Sequence, residues 1–168
     1  MNRRTFIHST SALLGSLAAA VSTSSFAAWR QGMALPDLSA FGLEGTLPKL
    51  KGKVVYLDFW ASWCAPCKAS FPVLNGWQQQ LAGKGFTVLA VSVDETAQAM
   101  QGFLKKNSVS FPVVRDAEHK LVAAADVSTM PSSFLIDRKG GVRLAHTGFH
   151  AKDAAPLEAQ IKSLLAES

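Results

Sequence analysis

Val54-Val55-Tyr56-Leu57-Asp58-Phe59-Trp60-Ala61-Ser62-Trp63-Cys64-Ala65-Pro66-Cys67 is the stretch that decides how this chain folds. Its first half is nearly continuous in apolar, β-favouring residues, the pattern of a parallel strand covered on both faces. After Cys64 the apolar residues take helical spacing through Phe71, Leu74, Trp77 and Leu81, and the run stops at Gly83-Lys84-Gly85. Cys64 therefore falls where a buried strand gives way to a helix. Free backbone N–H groups and the positive end of the helix dipole lie at such a point, and both favour a thiolate. An ordinary thiol is only ~3% ionised at neutral pH, whereas one with its pKa lowered to about 7 is half ionised.

Cys64 and Cys67 are the only two cysteines of the 168 residues. A bridge between them closes a loop of about four residues, for which chain entropy offers ~2 kcal/mol, against ~4.7 kcal/mol for a loop of about 100. The pair suits a disulfide that opens and closes better than one that braces a fold. Cys64 is the expected attacking sulfur, and Cys67, one helical turn inward, the shielded one that acts second. Attack by Cys64 on a substrate disulfide gives a mixed disulfide, which Cys67 resolves after losing its proton. For Asp58 two readings stand. It is a buried carboxyl with a raised pKa that accepts that proton, or it is a surface-facing residue at alternate strand spacing.

Outward from this centre, residues 28–53 hold short apolar stretches punctuated by Gly42, Gly45, Pro48 and Gly52, which predicts a small N-terminal hairpin. Phe86 to Val93 is a second buried strand, and Asp94 or Thr96 is placed to cap a helix running to about Lys106. A short strand at Phe111–Arg115 and a helix over 117–125 follow. Ser133–Asp137 turns through Arg138-Lys139-Gly140-Gly141 into Val142–His146, a hairpin pattern, and an amphipathic helix runs from Asp153 to about Ala166. The class is α/β, with a central mixed sheet flanked by helices.

Residues 1–27 read as an export signal, cleaved after Ala27, with the domain occupying 28–168. Arg3 and Arg4 precede the mildly apolar stretch Ser11–Ser22, and Ser25-Phe26-Ala27 offers a small-x-small cleavage site. Asn2-Arg3-Arg4-Thr5-Phe6-Ile7 has the form of a twin-arginine signal, with an ordinary secretory signal as the alternative. That segment carries two of the 17 basic residues and none of the 12 acidic ones, so the remainder has a net charge of +3. With no basic cluster beyond Lys105-Lys106, there is no case for nucleic acid.

The joint presence of Leu57-Asp58-Phe59, Trp60 to Cys67 and Met130-Pro131-Ser132-Ser133-Phe134-Leu135-Ile136-Asp137 resembles the thioredoxin-like family. Within it, the chain is similar to the exported TlpA/ResA-type thiol-disulfide oxidoreductases. Leu35-Pro36-Asp37-Leu38 and Gly52-Lys53-Val54-Val55 extend the resemblance over nearly all of 28–168. It implies a thioredoxin fold with Phe111–Arg115 and the next helix as an insert. It implies that Pro131 is a cis-proline packed opposite Cys64, that Met130 pairs its backbone with an extended substrate segment, and that Asp58 is the proton acceptor. Trp63, Ala65 and Pro66 would border the substrate. No cofactor or metal is called for. The implied partners are thiols and disulfides of exported proteins and a membrane thiol–disulfide carrier as electron donor, with the chain a monomer in the periplasm.

Two departures bear on the substrate. Many members of that group carry Asn where this chain has Asp58, and Glu where it has Ser70. Ala65-Pro66 between the cysteines lacks the residue that stabilises the thiolate in strongly oxidising relatives, which favours a protein-disulfide reductase. A disulfide oxidase or isomerase is the alternative within redox chemistry. A copper-binding assembly factor is the alternative outside it, because soft thiolates suit Cu(I).

Overall fold

The computed structural model describes residues 29–167, so the predicted export signal lies outside the described residues. Five strands form one sheet: β1 (Val54–Trp60), β2 (Phe86–Ser92), β3 (Val113–Arg115), β4 (Ser132–Ile136) and β5 (Val142–Thr147), in the order β3-β2-β1-β4-β5. β1 runs parallel to β2 and antiparallel to β4, so it is hydrogen-bonded along both edges, and all seven of its residues are buried. This is why its sequence is a continuous apolar run rather than an alternating one. Among the described residues four α-helices accompany the sheet: α1 (Ala65–Leu81), α2 (Ala97–Lys106), α3 (Lys120–Ala124) and α4 (Ala154–Ala166). The mixed sheet flanked by helices is the architecture the sequence predicts.

Alternate residues of β1 enter two separate cores. Val54, Tyr56 and Trp60 pack with Phe71, Leu74, Trp77 and Leu81 of α1, Phe103 of α2, and Leu157, Ile161 and Leu164 of α4. Val55, Leu57 and Phe59 pack on the other face with Leu89, Val91, Leu121, Phe134 and Ile136. Trp60, Phe71 and Phe103 form the aromatic centre of the first core, with ring centroids 4.7–5.2 Å apart in tilted and edge-on arrangements. Trp29 closes the second core against Phe134 at 5.2 Å and Phe59 at 6.2 Å.

The N-terminal segment departs from expectation, because the described part of residues 28–53 forms no hairpin. Its backbone pairs with other elements instead. Gly32 N–H donates to the Val142 carbonyl and Leu35 N–H to the Gly140 carbonyl, each at 2.8 Å. Glu44 and Arg115 exchange both backbone hydrogen bonds, which extends the sheet beyond β3. Between these contacts Asp37 caps a single 3₁₀ turn at Leu38–Phe41, ended by Gly42 at φ 65°, and Leu38 is buried in the second core. The capped turn satisfies the local backbone groups, and burial of Leu38 and Trp29 holds the segment against the sheet.

The insert is present as β3 and α3, although α3 is shorter than predicted. Asp116 Oδ2 accepts the Val122 N–H at 2.8 Å and His119 sits at φ 53°, so residues 116–119 form a turn that delays the helix. Thr96 rather than Asp94 caps α2, its hydroxyl accepting from Ala99 N–H at 3.2 Å. In the β4–β5 turn Asp137 Oδ1 accepts from both Lys139 and Gly141 N–H at 2.9 Å, which secures the predicted hairpin.

Candidate functional site

Cys64 is the N-cap residue of α1, in an extended backbone conformation, and its Sγ accepts the N–H of Cys67 at 3.2 Å. Pro66 lies in the first turn, where its missing N–H costs nothing. The two sulfurs form a disulfide. Cys67 is fully buried, whereas Cys64 retains 5% of its surface. On reduction, the N–H groups of this turn and the helix dipole meet whichever sulfur is at the cap, so charge is favoured on Cys64.

The surroundings of Cys64 are apolar and open. Trp63 is 71% exposed, the one exposed large hydrophobic side chain among the described residues, and Ala65 and Pro66 are exposed beside it. The Met130–Pro131 peptide is cis. Pro131 is buried, with its carbonyl accepting the Gly148 N–H at 2.8 Å, while Met130 is half-buried and packs against both cores. Neither the N–H nor the carbonyl of Met130 makes a backbone hydrogen bond among the described residues.

Burial removes the surface-facing reading of Asp58. It is only 2% exposed, in the middle of β1, with Tyr56 and Trp60 on the same face. That face is covered by α1, and Tyr56, Trp60 and Cys67 share one core. Asp58 Oδ2 has no hydrogen-bond partner among the described residues. Burial without a compensating partner holds its carboxyl well above the usual carboxylate range. Ser70, at the position where many relatives carry Glu, is also buried and donates its hydroxyl to the Cys67 carbonyl at 2.9 Å. It brings no charge to the cysteines. Among the described residues no group of three or more His, Cys, Asp or Glu converges to hold a metal ion.

One site residue escapes sequence reasoning, which assigns Asp94 only to a helix cap. Its buried carboxylate accepts Ser62 N–H at 3.1 Å, Ser62 Oγ–H at 2.7 Å and Ser92 Oγ–H at 2.8 Å. Ser62 lies two residues before Cys64, so this carboxylate fixes the loop that leads into Cys64. Arg115 holds the far side, donating to the Asp94 and Glu95 carbonyls while pairing with Glu44 at 2.8 Å. No local signal joins Ser62 to Asp94. They meet because Trp60 and Ser92 are paired at the ends of parallel β1 and β2.

Two outcomes follow from this geometry. The folded state keeps the Asp58 proton at pH values where the unfolded chain, with a carboxyl near 3.8, has lost it. Stability is therefore fully present below that value and falls as pH rises above it. Asp58→Asn, neutral at every pH, is expected to gain stability over the parent as pH rises above the ordinary carboxyl range, in urea unfolding of the oxidised proteins. A constant difference would show that the carboxyl is solvated. Asp94→Ala strands the Ser62 and Ser92 donors and is expected to cost at least ~1–3 kcal/mol in the same assay, with faster amide exchange at Ser62.

The family model described as Redoxin matches residues 23–161. The chain is 40% identical over 118 residues to thiol-disulfide oxidoreductase ResA of Bacillus subtilis, covering 67% of this chain and 66% of that protein. It is 35% identical over 136 residues to ResA of Bacillus thuringiensis (strain Al Hakam), covering 79% and 78%. Thus it spans about two thirds to three quarters of the length of these relatives. A solved structure from Chlorobium tepidum, described as a thiol:disulfide interchange protein DsbE, superposes with a TM-score of 0.78 at 41% identity, over 83% of this chain and all of that one. With a Cys-x-x-Cys pair at the head of α1 in a thioredoxin-type sheet, the chain belongs to the redoxin family, among the ResA/DsbE-type thiol-disulfide oxidoreductases.

Proposed function

We propose that this protein is a periplasmic oxidoreductase that reduces disulfides of exported proteins through Cys64 and Cys67. The observation that carries the reading is the unequal placement of the two sulfurs. Cys64 sits at the helix cap beside the exposed Trp63, and Cys67 is fully buried behind it. The Cys64 thiolate attacks one sulfur of a substrate disulfide, forming a new S–S bond and releasing the other sulfur as a thiolate that takes a proton from solvent. Asp58, once its carboxyl has released its own proton, takes the proton of Cys67, and the Cys67 thiolate attacks Cys64 Sγ. The internal disulfide forms, and the second substrate sulfur leaves as a thiol after protonation. Two electrons pass to the substrate, and a membrane thiol–disulfide carrier returns them by the reverse exchange.

Trp63, Ala65 and Pro66 supply an uncharged contact surface, and the unpaired backbone of Met130, held by cis Pro131, suits an extended substrate segment added as a strand. The direction of flow rests on Ala65-Pro66, which offers the Cys64 thiolate no stabilising charge. Export rests on the Arg3-Arg4 segment.

Cys67→Ser is expected to accumulate mixed disulfides on Cys64 with periplasmic proteins, identified by mass spectrometry. Equal trapping by Cys64→Ser would reverse the assigned roles. A reduction potential above about −150 mV would replace the reductase by an oxidase or isomerase.

A further inference from the structure

Asp58 is enclosed, and the sheet gives it neighbours of opposite character on its two sides. Across β2 it is paired with Ala90, and Ala90 with Val113 on β3, so that direction is apolar. Across β4 it is paired with Ser133, and Ser133 with His146 on β5. Residues paired in this way point to one face with Cβ atoms about 4.5–5.5 Å apart. Asp58, Ser133 and His146 thus form a single row crossing three strands. Tyr56, on the same face of β1, shares a 2.7 Å hydrogen bond between its hydroxyl and Ser133 Oγ. At the outer end, His146 Nε2 lies 3.6 Å from Asp153 Oδ2, with side chains 26% and 18% exposed. Asp153 itself is fixed by the His150 N–H at 2.7 Å.

Both ends of this row carry a buried polar atom without a hydrogen-bond partner among the described residues, Asp58 Oδ2 and His146 Nε2. Packing alone gives no reason for two such atoms to flank one hydroxyl pair, because each carries a desolvation cost. Burial, and then the charge of Asp58, push the Tyr56 phenol up, with Asp153 adding to the effect. Tyr56 therefore stays a neutral hydroxyl that donates and accepts at once. The titratable groups facing the row are Asp58 and Tyr56 from β1, Cys67 from α1, His146 from β5 and Asp153 ahead of α4, while β2 offers only Ala90 opposite Asp58.

We propose that Ser133, Tyr56 and His146, with Asp153 beside it, form the route by which protons pass between Asp58 and solvent. This rests on the reading of Asp58 as acceptor of the Cys67 proton. An acid held neutral by burial must first release a proton, and nothing on its β2 side conducts one. The Asp58 proton passes to the Ser133–Tyr56 hydroxyl pair, which hands one of its own to His146 Nε2. The imidazolium formed beside the Asp153 carboxylate then loses a proton to water at its exposed edge. The Asp58 carboxylate takes the Cys67 proton, and no electrons move until the sulfur exchange. One proton leaves through His146 and each of the two departing substrate thiolates takes one from solvent, a net uptake of one proton that equals the one the Cys64 thiolate lacked, so the cycle balances. His146 acts here as a positioning residue for the proton, remote from the sulfurs.

The test uses the reduced protein and dithionitrobenzoate, with two thionitrobenzoate releases followed by stopped-flow absorbance. The first reports attack by Cys64 and is the internal control, and the second reports resolution by Cys67. His146→Ala is expected to slow the second release about tenfold near neutral pH, less than the ~100-fold or more typical of losing an acid–base group itself, and added imidazole should restore it. Tyr56→Phe should slow the same step. The double variant Asp58→Asn/His146→Ala should be no slower than Asp58→Asn alone, because both act on one proton. Slowing by Asp58→Asn with none by His146→Ala overturns the route and leaves the Asp58 assignment standing. Slowing by His146→Ala that imidazole does not rescue, or that adds to Asp58→Asn, also overturns it. Full speed in Asp58→Asn removes the acceptor and the route together.

Discussion

Every residue of β1 is shut away from water, and one of them is an acid. A carboxyl on a strand that is hydrogen-bonded along both edges and covered on both faces has no route to solvent through its own element. Burial keeps it neutral, and the rest of the site is arranged around that condition. The helix that covers Asp58 is the helix that presents Cys64 and hides Cys67. The acid and the sulfurs therefore belong to one packed layer, although they come from different elements.

Rigidity in this layer comes from two directions. In the core that holds the sulfurs, Trp60, Phe71 and Phe103 interlock in tilted and edge-on contacts, so α1 meets β1 through rings rather than flexible chains. Behind the loop between β1 and α1, Asp94 collects three donors from Ser62 and Ser92, and Arg115 ties its backbone to Glu44. The outer surface contrasts with this frame. Trp63, Ala65 and Pro66 stand exposed and uncharged, and the half-buried Met130 packs against the core that contains Cys64.

The strands and helices were legible because each carries its period in its own residues. The run Val54–Trp60 and the spacing Phe71, Leu74, Trp77, Leu81 place the strand-to-helix junction without reference to anything distant. The hairpin expected in residues 28–53 fails for the complementary reason. Gly42 and Gly52 do fall in turns, but the backbone groups of Gly32, Leu35 and Glu44 find partners on Val142, Gly140 and Arg115, which no local pattern specifies. Likewise Asp94 reads locally as a helix cap, and only the pairing of Trp60 with Ser92 brings its carboxylate to Ser62.

By itself, then, the sequence determined the α/β class, the Cys64–Cys67 pair and its place at the head of a helix, since spacing and periodicity are properties of contiguous residues. Tertiary structure alone decided that Asp58 is buried rather than surface-facing, that Ser70 spends its hydroxyl on the Cys67 carbonyl, and that Ser133 and His146 line up beside Asp58. The physical reason is register. Alternation along a strand says which residues share a face, but which of them stand opposite one another is settled only when the strands pair.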